Sequence, residues 1–136
     1  MKVDGRCLCG FISYMAEVDP EQAQVCHCTD CQVLSSSAFR HTVPARHGTF
    51  KLLTGELKIY VKTAESGNRR ALAFCPSCGT SIYSAPVEGS ARDTYFGLRV
   101  GPLAQRDQLP PKSHCWTRSR QHWVTDLATL PEVEKE

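Results

Sequence analysis

Eight cysteines are the most informative residues of this 136-residue sequence, and seven of them stand in three short clusters. The clusters are Cys7-Leu8-Cys9, Cys26-His27-Cys28-Thr29-Asp30-Cys31 and Cys75-Pro76-Ser77-Cys78, and Cys115 stands alone. Clustered thiols in a reducing compartment usually bind metal, whereas disulfides usually join distant segments of secreted proteins. Charged and polar residues interrupt residues 1–20, so no secretion signal is recognisable there. We therefore expect reduced, metal-binding cysteines in the cytoplasm.

The spacing Cys75-Pro76-Ser77-Cys78-Gly79 is typical of a zinc knuckle. Tetrahedral zinc needs sulfur atoms about 3.8 Å apart, which two residues on a tight turn provide. Cys7 and Cys9 are candidates for the other two ligands, because alternate residues of an extended strand share one face. Such a site closes a loop of about 65 residues, and the cost of about 4 kcal/mol is outweighed by the roughly 10–16 kcal/mol from structural zinc. On spacing alone, the knuckle could equally pair with part of the middle cluster.

The middle cluster offers three thiols, those of Cys26, Cys28 and Cys31. Three protein ligands leave a fourth position for water or substrate, which distinguishes catalytic zinc sites from closed structural ones. Thr29 and Gln32 have the spacing of a capping box, so we predict a helix of one or two turns that begins at Thr29. The N-terminus of this helix would lower the pKa of the neighbouring thiols.

The remaining polar candidates near these clusters are Cys115 and the histidines. In one alternative, Cys115 completes a second closed four-cysteine site, but we interpret it as a small packing residue. His114 is a candidate to reach the open site, whereas His27 is expected to point away from its flanking cysteines. We interpret the other histidines as surface or packing residues, and they are His41, His47 and His122.

Short, often alternating apolar segments separated by turn residues, among them Gly48, Gly55 and Gly89, predict a mainly β protein. The predicted strands are 11–16, 39–43, 57–61, 71–74, 81–83 and 94–100. No linker or repeat divides the chain, so we expect one domain over 1–136, with 131–136 as a frayed, solvated tail. The net charge is only +2 and no apolar run approaches the ~18 residues of a membrane span. We therefore expect neither nucleic acid nor membrane as a partner, while the oligomeric state stays open.

These motifs resemble those of the glutathione-dependent formaldehyde-activating enzyme family, which includes the centromere protein CENP-V. The resemblance rests on motifs in the family's order: Cys7-x-Cys9-Gly10, Cys26-His27-Cys28-x-x-Cys31-Gln32, Phe74-Cys75-x-x-Cys78-Gly79-Thr80 and His114-x-Trp116 with Trp123. Gly48-Thr49-Phe50 and Leu130-Pro131 extend it over nearly the whole chain. It implies a β-tent fold of stacked antiparallel sheets that is stapled by zinc.

The same resemblance implies two zinc ions and assigns their ligands. Cys7, Cys9, Cys75 and Cys78 correspond to a structural site, and Cys26, Cys28 and Cys31 to a catalytic site whose ion is easily lost. The implied reaction is that of a carbon–sulfur lyase or synthase, which joins formaldehyde to a small thiol such as glutathione. The arginines that could pair with carboxylates of this thiol are Arg40, Arg46, Arg69, Arg70 and Arg99. The alternatives are a non-catalytic zinc-binding interaction module and a thiol or zinc redox sensor.

Overall fold

The computed structural model describes residues 1–87 and 95–136, and β-strands form most of this part of the chain. The strands are β1 (Lys2–Arg6), β2 (Ser13–Glu17), β3 (Gln24–Cys26), β4 (Arg40–Pro44), β5 (Lys51–Thr54), β6 (Lys58–Thr63), β7 (Arg69–Phe74), β8 (Ser81–Pro86), β9 (Gly97–Arg99) and β10 (Ser113–Cys115). One α-helix, α1 (Thr29–Ser35), lies between β3 and β4. Short 3-10 helices cover Pro20–Gln22, Arg106–Gln108, Thr117–Ser119 and His122–Thr129. The prediction of a mainly β fold is confirmed.

The strands form two sheets. The smaller sheet has the antiparallel order β1-β2-β5, and the larger has the order β10-β3-β4-β9-β8-β7-β6. Every pair in the larger sheet is antiparallel except β3 and β10, which run parallel with Cys26 beside Cys115. The expectation of stacked antiparallel sheets is confirmed, and the one parallel pair lies at the edge where a distant segment of the chain returns beside β3.

The apolar core contains the inward-facing residues of both sheets. Val3 and Tyr14 from the smaller sheet, and Val43, Ile82 and Leu98 from the larger, are at most 1% exposed. Alternation along the strands explains this arrangement, since successive side chains point to opposite faces. In β4 and β9, the face opposite this core carries Arg40, Thr42 and Arg99. The larger sheet is therefore apolar on one face and polar on the other near these strands.

Helix α1 begins where it was predicted, but its N-cap is Cys28 and not Thr29. The Cys28 Sγ atom accepts a hydrogen bond from the backbone N–H of Cys31, and Ser36 ends the helix with a left-handed φ of 50°. The capping-box prediction is therefore wrong, because the thiol takes the place of the threonine hydroxyl. Gln32 instead donates its side-chain amide to the carbonyl oxygens of His27 and Ser119, at 2.8 and 3.0 Å.

The predicted strands correspond to β2, β4, β6, β7, β8 and β9, with ends that differ by up to three residues. Residue 94, at the start of the last predicted strand, lies outside the described residues, as does the turn predicted at Gly89. Strands β1, β3, β5 and β10 were not predicted from the sequence. Residues 131–136 are exposed and have no regular secondary structure. Among the described residues, no helix has the length and apolar character that a membrane crossing requires.

Candidate metal centres

Four thiols from two distant segments meet at one end of the smaller sheet. The Sγ atoms of Cys7, Cys9, Cys75 and Cys78 all lie within 4.8 Å of one another. Cys7 Sγ is 3.6 Å from Cys9 Sγ, which is 3.8 Å from Cys75 Sγ. These separations match the roughly 3.8 Å expected between sulfurs on tetrahedral zinc. Four soft sulfur donors at this spacing fit a structural zinc ion.

Two tight turns position these thiols. After β1, the Gly10 N–H donates to the Cys7 carbonyl oxygen at 3.0 Å, and Gly10 has a φ of 83°. In the knuckle, the Gly79 N–H donates to the Cys75 carbonyl oxygen at 2.9 Å, and Gly79 has a φ of 76°. The expectation that Cys7 and Cys9 share one face of an extended strand is therefore wrong, because β1 ends at Arg6 and a turn brings their sulfurs together.

Hydrogen bonds favour the thiolate form at two of these positions. The Thr80 hydroxyl, 3.1 Å from Cys78 Sγ, and backbone N–H groups of Cys9 and Thr80 lower the pKa of Cys78 to about 5. Burial raises the pKa of Cys7, but the net shift is downward because the N–H of Ile12, which donates to Cys7 Sγ at 3.1 Å, and the thiols of Cys9 and Cys75 together outweigh it. Because metal ligands bind as thiolates, these hydrogen bonds prepare the site for a cation.

Three thiols form a second cluster where β3 runs into helix α1. The Sγ atoms of Cys26, Cys28 and Cys31 lie within 4.8 Å of one another, and Cys28 Sγ donates to Cys31 Sγ at 2.9 Å. Cys26 and Cys31 are buried, whereas Cys28 is half-buried at the helix N-cap. Three convergent soft donors fit a zinc ion whose remaining position is not filled by a cysteine.

The electrostatic surroundings of this cluster also favour a thiolate. A hydrogen bond from the Cys31 thiol, together with the backbone N–H of Cys28 and the charge of Arg40, lowers the pKa of Cys26 to about 5 despite burial. Arg40 is the cross-strand neighbour of Cys26 in the β3–β4 pair. Its side chain therefore leaves the sheet on the same face as the Cys26 thiol.

Cys115 lies beside the three-thiol cluster but is not one of its members. Its backbone is paired with that of Cys26, and its Sγ atom donates to Gln24 Oε1 at 2.9 Å. Cys115 is half-buried, and the pKa of its thiol is raised by burial and by the charge of Cys26. The interpretation of Cys115 as an apolar packing residue is therefore corrected to that of a hydrogen-bond donor, because its strand places the thiol next to an amide oxygen.

Sequence reasoning missed a histidine pair beside the cluster. His27 is fully buried, its Nε2 atom lies 2.9 Å from His114 Nδ1, and the two rings stack with centroids 5.2 Å apart. His27 also packs edge-on against Phe39. In the described part of the chain, neither histidine has a ring nitrogen in the group of sulfur atoms formed by Cys26, Cys28 and Cys31. His114 thus packs against the segment that carries the thiols. The His114-x-Trp116 motif was the only feature of the sequence that pointed to this histidine.

A cavity of about 1060 Å³ lies against the polar face near Arg40. Its walls, as far as the described residues form them, include Arg6, Arg40, Arg99 and Arg106 but only one acidic residue, Asp4. Of the five arginines proposed to meet carboxylates, this cavity includes Arg40 and Arg99. Arg46 and Arg69 are exposed and lie elsewhere, and Arg70 donates to the carbonyl oxygens of Ser84 and Tyr95.

Comparison with known proteins gives three matches. The model of the family described as "Glutathione-dependent formaldehyde-activating enzyme" matches residues 2–119. An uncharacterized lyase of Schizosaccharomyces pombe is 32% identical over 139 residues, which cover 97% of this chain and 94% of the yeast protein. A crystal structure of a Rhodobacter sphaeroides protein is similar in fold, with a TM-score of 0.61 and 21% identity over 84% of this chain and 99% of that chain.

Proposed function

The chain belongs to the glutathione-dependent formaldehyde-activating enzyme family, and on that premise we propose that it is a zinc-dependent carbon–sulfur lyase or synthase. Its substrates would be a small thiol such as glutathione and a small carbonyl compound such as formaldehyde. The observation that carries this proposal is the separation of seven thiols into a four-thiol group and a three-thiol group. The first has enough ligands to close a tetrahedral site, and the second does not.

The two groups would have different roles. Cys7, Cys9, Cys75 and Cys78 would hold a structural zinc ion that joins the end of β1 to the knuckle after β7. Cys26, Cys28 and Cys31 would hold the catalytic ion. When bound there, zinc supplies a Lewis acid that favours the thiolate form of a substrate thiol near neutral pH. A reducing compartment such as the cytoplasm would keep these thiols available.

The proposed reaction forms or breaks one carbon–sulfur bond. In the forward direction, the substrate sulfur attacks the carbonyl carbon, the carbon–oxygen π bond opens, and the oxygen gains the proton that the thiol lost. The product is a hydroxymethyl thioether, and the reverse reaction releases the thiol and the aldehyde. Neither direction requires an oxidant or a reductant. The positive charge of Arg40 beside Cys26 supports this chemistry by favouring negative charge on sulfur.

Exchange spectroscopy tests this function directly. With formaldehyde and a panel of small thiols that includes glutathione, the wild-type protein should accelerate NMR exchange between the free thiol and its hydroxymethyl adduct. Cys26→Ser, Cys28→Ser and Cys31→Ser should each abolish the acceleration. Cys115→Ser is the matched control, because its thiol lies next to the cluster but outside the three-sulfur group.

Two results would contradict the proposal. If Cys115→Ser loses the second zinc ion together with the activity, the site is a closed four-cysteine cage, and a binding module becomes the better interpretation. If mild peroxide releases zinc reversibly while no thiol adduct is exchanged, the three-thiol cluster is a redox sensor. The 2.9 Å separation of the Cys28 and Cys31 sulfurs is the feature that would serve such a sensor.

A further inference from the structure

Arg99 is a buried cation without a carboxylate partner among the described residues. Its side chain lies on β9 and the residue is only 6% exposed. The Nε atom donates to the Ser81 hydroxyl at 3.3 Å, but the buried Nη1 atom has no hydrogen-bond partner. In the described part of the chain, no carboxylate lies within 4.0 Å of this guanidinium. Burying a charge without a partner is costly, so this arrangement indicates a function other than stability.

Arg40, on the neighbouring strand, is half-buried beside the thiol of Cys26 and resembles Arg99 in having a buried nitrogen without a partner. Its Nε atom is also buried without a partner, and no carboxylate of the described residues lies within ion-pair distance. Because Thr42 is the cross-strand neighbour of Arg99, Arg40 and Arg99 occupy diagonal positions on the same face of the sheet. Burial, followed by the charge of Arg40, lowers the pKa of Arg99 to about 9, so the Arg99 guanidinium remains cationic at neutral pH. Two adjacent like charges favour an anion between them.

Both arginines line the cavity described above. Among the described residues, five buried side-chain nitrogen and oxygen atoms lack a hydrogen-bond partner, and four belong to residues that line this cavity. They are Tyr14 Oη, Arg40 Nε, His41 Nε2 and Arg99 Nη1. On the polar face of the sheet, the relevant atoms are Arg40 Nε and Arg99 Nη1, and a cavity with excess positive charge and unpaired guanidinium nitrogens is suited to a small anionic ligand. Arg70 on β7 provides the contrast, since two carbonyl oxygens already accept its hydrogen bonds.

The position of Arg40 links this cavity to the chemistry. Arg40 lines the cavity and is also the cross-strand neighbour of Cys26, so the anion site and the three-thiol cluster adjoin. We propose that Arg40 and Arg99 bind a carboxylate of the substrate thiol and thereby select thiols that carry one. This inference rests on the proposed function for its reaction, but the binding of the carboxylate can be tested without any reaction.

The first experiment compares N-acetylcysteine with its methyl ester as thiol substrates of the zinc-loaded protein. Wild type should use the acid with a higher kcat/KM than the ester. Arg99→Met should lower kcat/KM for the acid by about 10- to 100-fold, the range expected for hydrogen bonds to a charged group, and leave the ester nearly unchanged. Arg99→Lys should recover part of the preference. If Arg99→Met does not fold, Arg40→Met is an independent variant, and only the ratio of its kcat/KM values for acid and ester is compared, because Arg40 also lies beside Cys26. Arg69→Met is the matched control, because Arg69 is exposed on β7 and lies outside the cavity.

The second experiment measures binding without turnover. S-methyl-N-acetylcysteine has the carboxylate but no thiol, and calorimetry should detect its binding to wild type and not to Arg99→Met. Its methyl ester should bind neither protein. If the acid does not bind wild type, or binds Arg99→Met equally well, the arginine site is refuted.

Two further outcomes separate the anion site from the proposed function. If inorganic phosphate binds as tightly as the thioether acid and the esterified thiol is used as well as the acid, the arginines hold a free anion and the substrate assignment is wrong. If the thioether acid binds through Arg99 but no thiol is turned over, the carboxylate site stands and the proposed lyase activity fails.

Discussion

The imidazole rings of His27 and His114 stack 5.2 Å apart, with Nε2 of the first 2.9 Å from Nδ1 of the second. In the sequence, His27 stands between Cys26 and Cys28 of the three-thiol cluster. His114 lies on β10, which runs parallel to β3. Burial, followed by the charges of His114 and Arg120, lowers the pKa of His27. A neutral ring has one donor and one acceptor, so the contact couples the tautomers of the two rings: one of these two nitrogens carries a proton and the other accepts it. The pair therefore connects the cluster to the far end of the chain.

Replacing His114 should leave His27 without its hydrogen-bond partner. We expect His114→Phe, which keeps a stacking ring, to reduce the free energy of unfolding by about 1–3 kcal/mol, the cost of an unsatisfied buried polar group. Urea denaturation of the zinc-loaded protein measures this change. His122→Phe is the control, because His122 is exposed and no hydrogen bond or ring contact of its imidazole is found within the described residues. Equal losses from both substitutions would contradict a structural role for the pair.

Substitutions in the two thiol groups should affect stability very differently. Cys9→Ser and Cys75→Ser each remove a ligand from the group that joins segments about 65 residues apart. The roughly 10–16 kcal/mol from structural zinc is comparable to the total stability of a domain, so both variants should largely fail to fold. Cys28→Ser should remain folded, because its cluster spans only residues 26–31. Thermal unfolding followed by circular dichroism checks the order, and the reverse order would show that the structural and functional assignments are exchanged.

The zinc content should reflect the division of the cysteines into a four-thiol group and a three-thiol group. Protein purified gently under reducing conditions should contain up to two zinc ions per chain by elemental analysis. A chelator should remove one ion first, because three protein ligands hold an ion less firmly than four. In Cys31→Ser the fast phase of release should disappear while the slow phase remains. A protein without zinc after such a purification would refute both metal assignments.

Gly5 offers a test of how closely the smaller sheet packs. A β-carbon at Gly5 would collide with the ring of Tyr14, whereas at Gly101 it would meet no atom within 4 Å. Tyr14 is 1% exposed and cannot easily move, so Gly5→Ala should lower stability by about 1–3 kcal/mol. Gly101→Ala should be nearly neutral or slightly stabilising. Chemical denaturation of both variants measures the difference, and similar stabilities would mean that the Tyr14 ring can be displaced at little cost.

The sequence predicted strands in which buried and more exposed side chains alternate, such as β2, and longer strands that carry several apolar residues, such as β6 and β7. It did not reveal β3 or β10, because three-residue strands are too short for a pattern and pair with residues far away in sequence. β1 was missed because Gly5 occupies an inward position where a pattern search expects a large apolar residue. The N-cap was assigned to Thr29 because capping rules favour hydroxyl and carboxamide groups, and the thiol of Cys28 took that place.

The thiol clusters were visible in the sequence because ligand spacing is a local property. The turn at Cys7 and Cys9 was not, since the same spacing suits an extended strand. Burial of Arg99 was invisible too, because arginine is usually exposed and only the assembled sheet encloses it. The distinction between Arg99 and the exposed Arg69 therefore depends on tertiary structure.

The parallel pairing of β10 with β3 has a consequence for synthesis on the ribosome. About 90 residues separate these strands, which at usual translation rates corresponds to a delay of about 5–20 s. During this interval the backbone edge of β3 has no neighbour on that side, although the three thiols beside it have already been made. An emerging chain thus presents an open sheet edge and reactive thiols at the same time. Binding of a chaperone during this interval would protect the edge, and early binding of metal would protect the thiols.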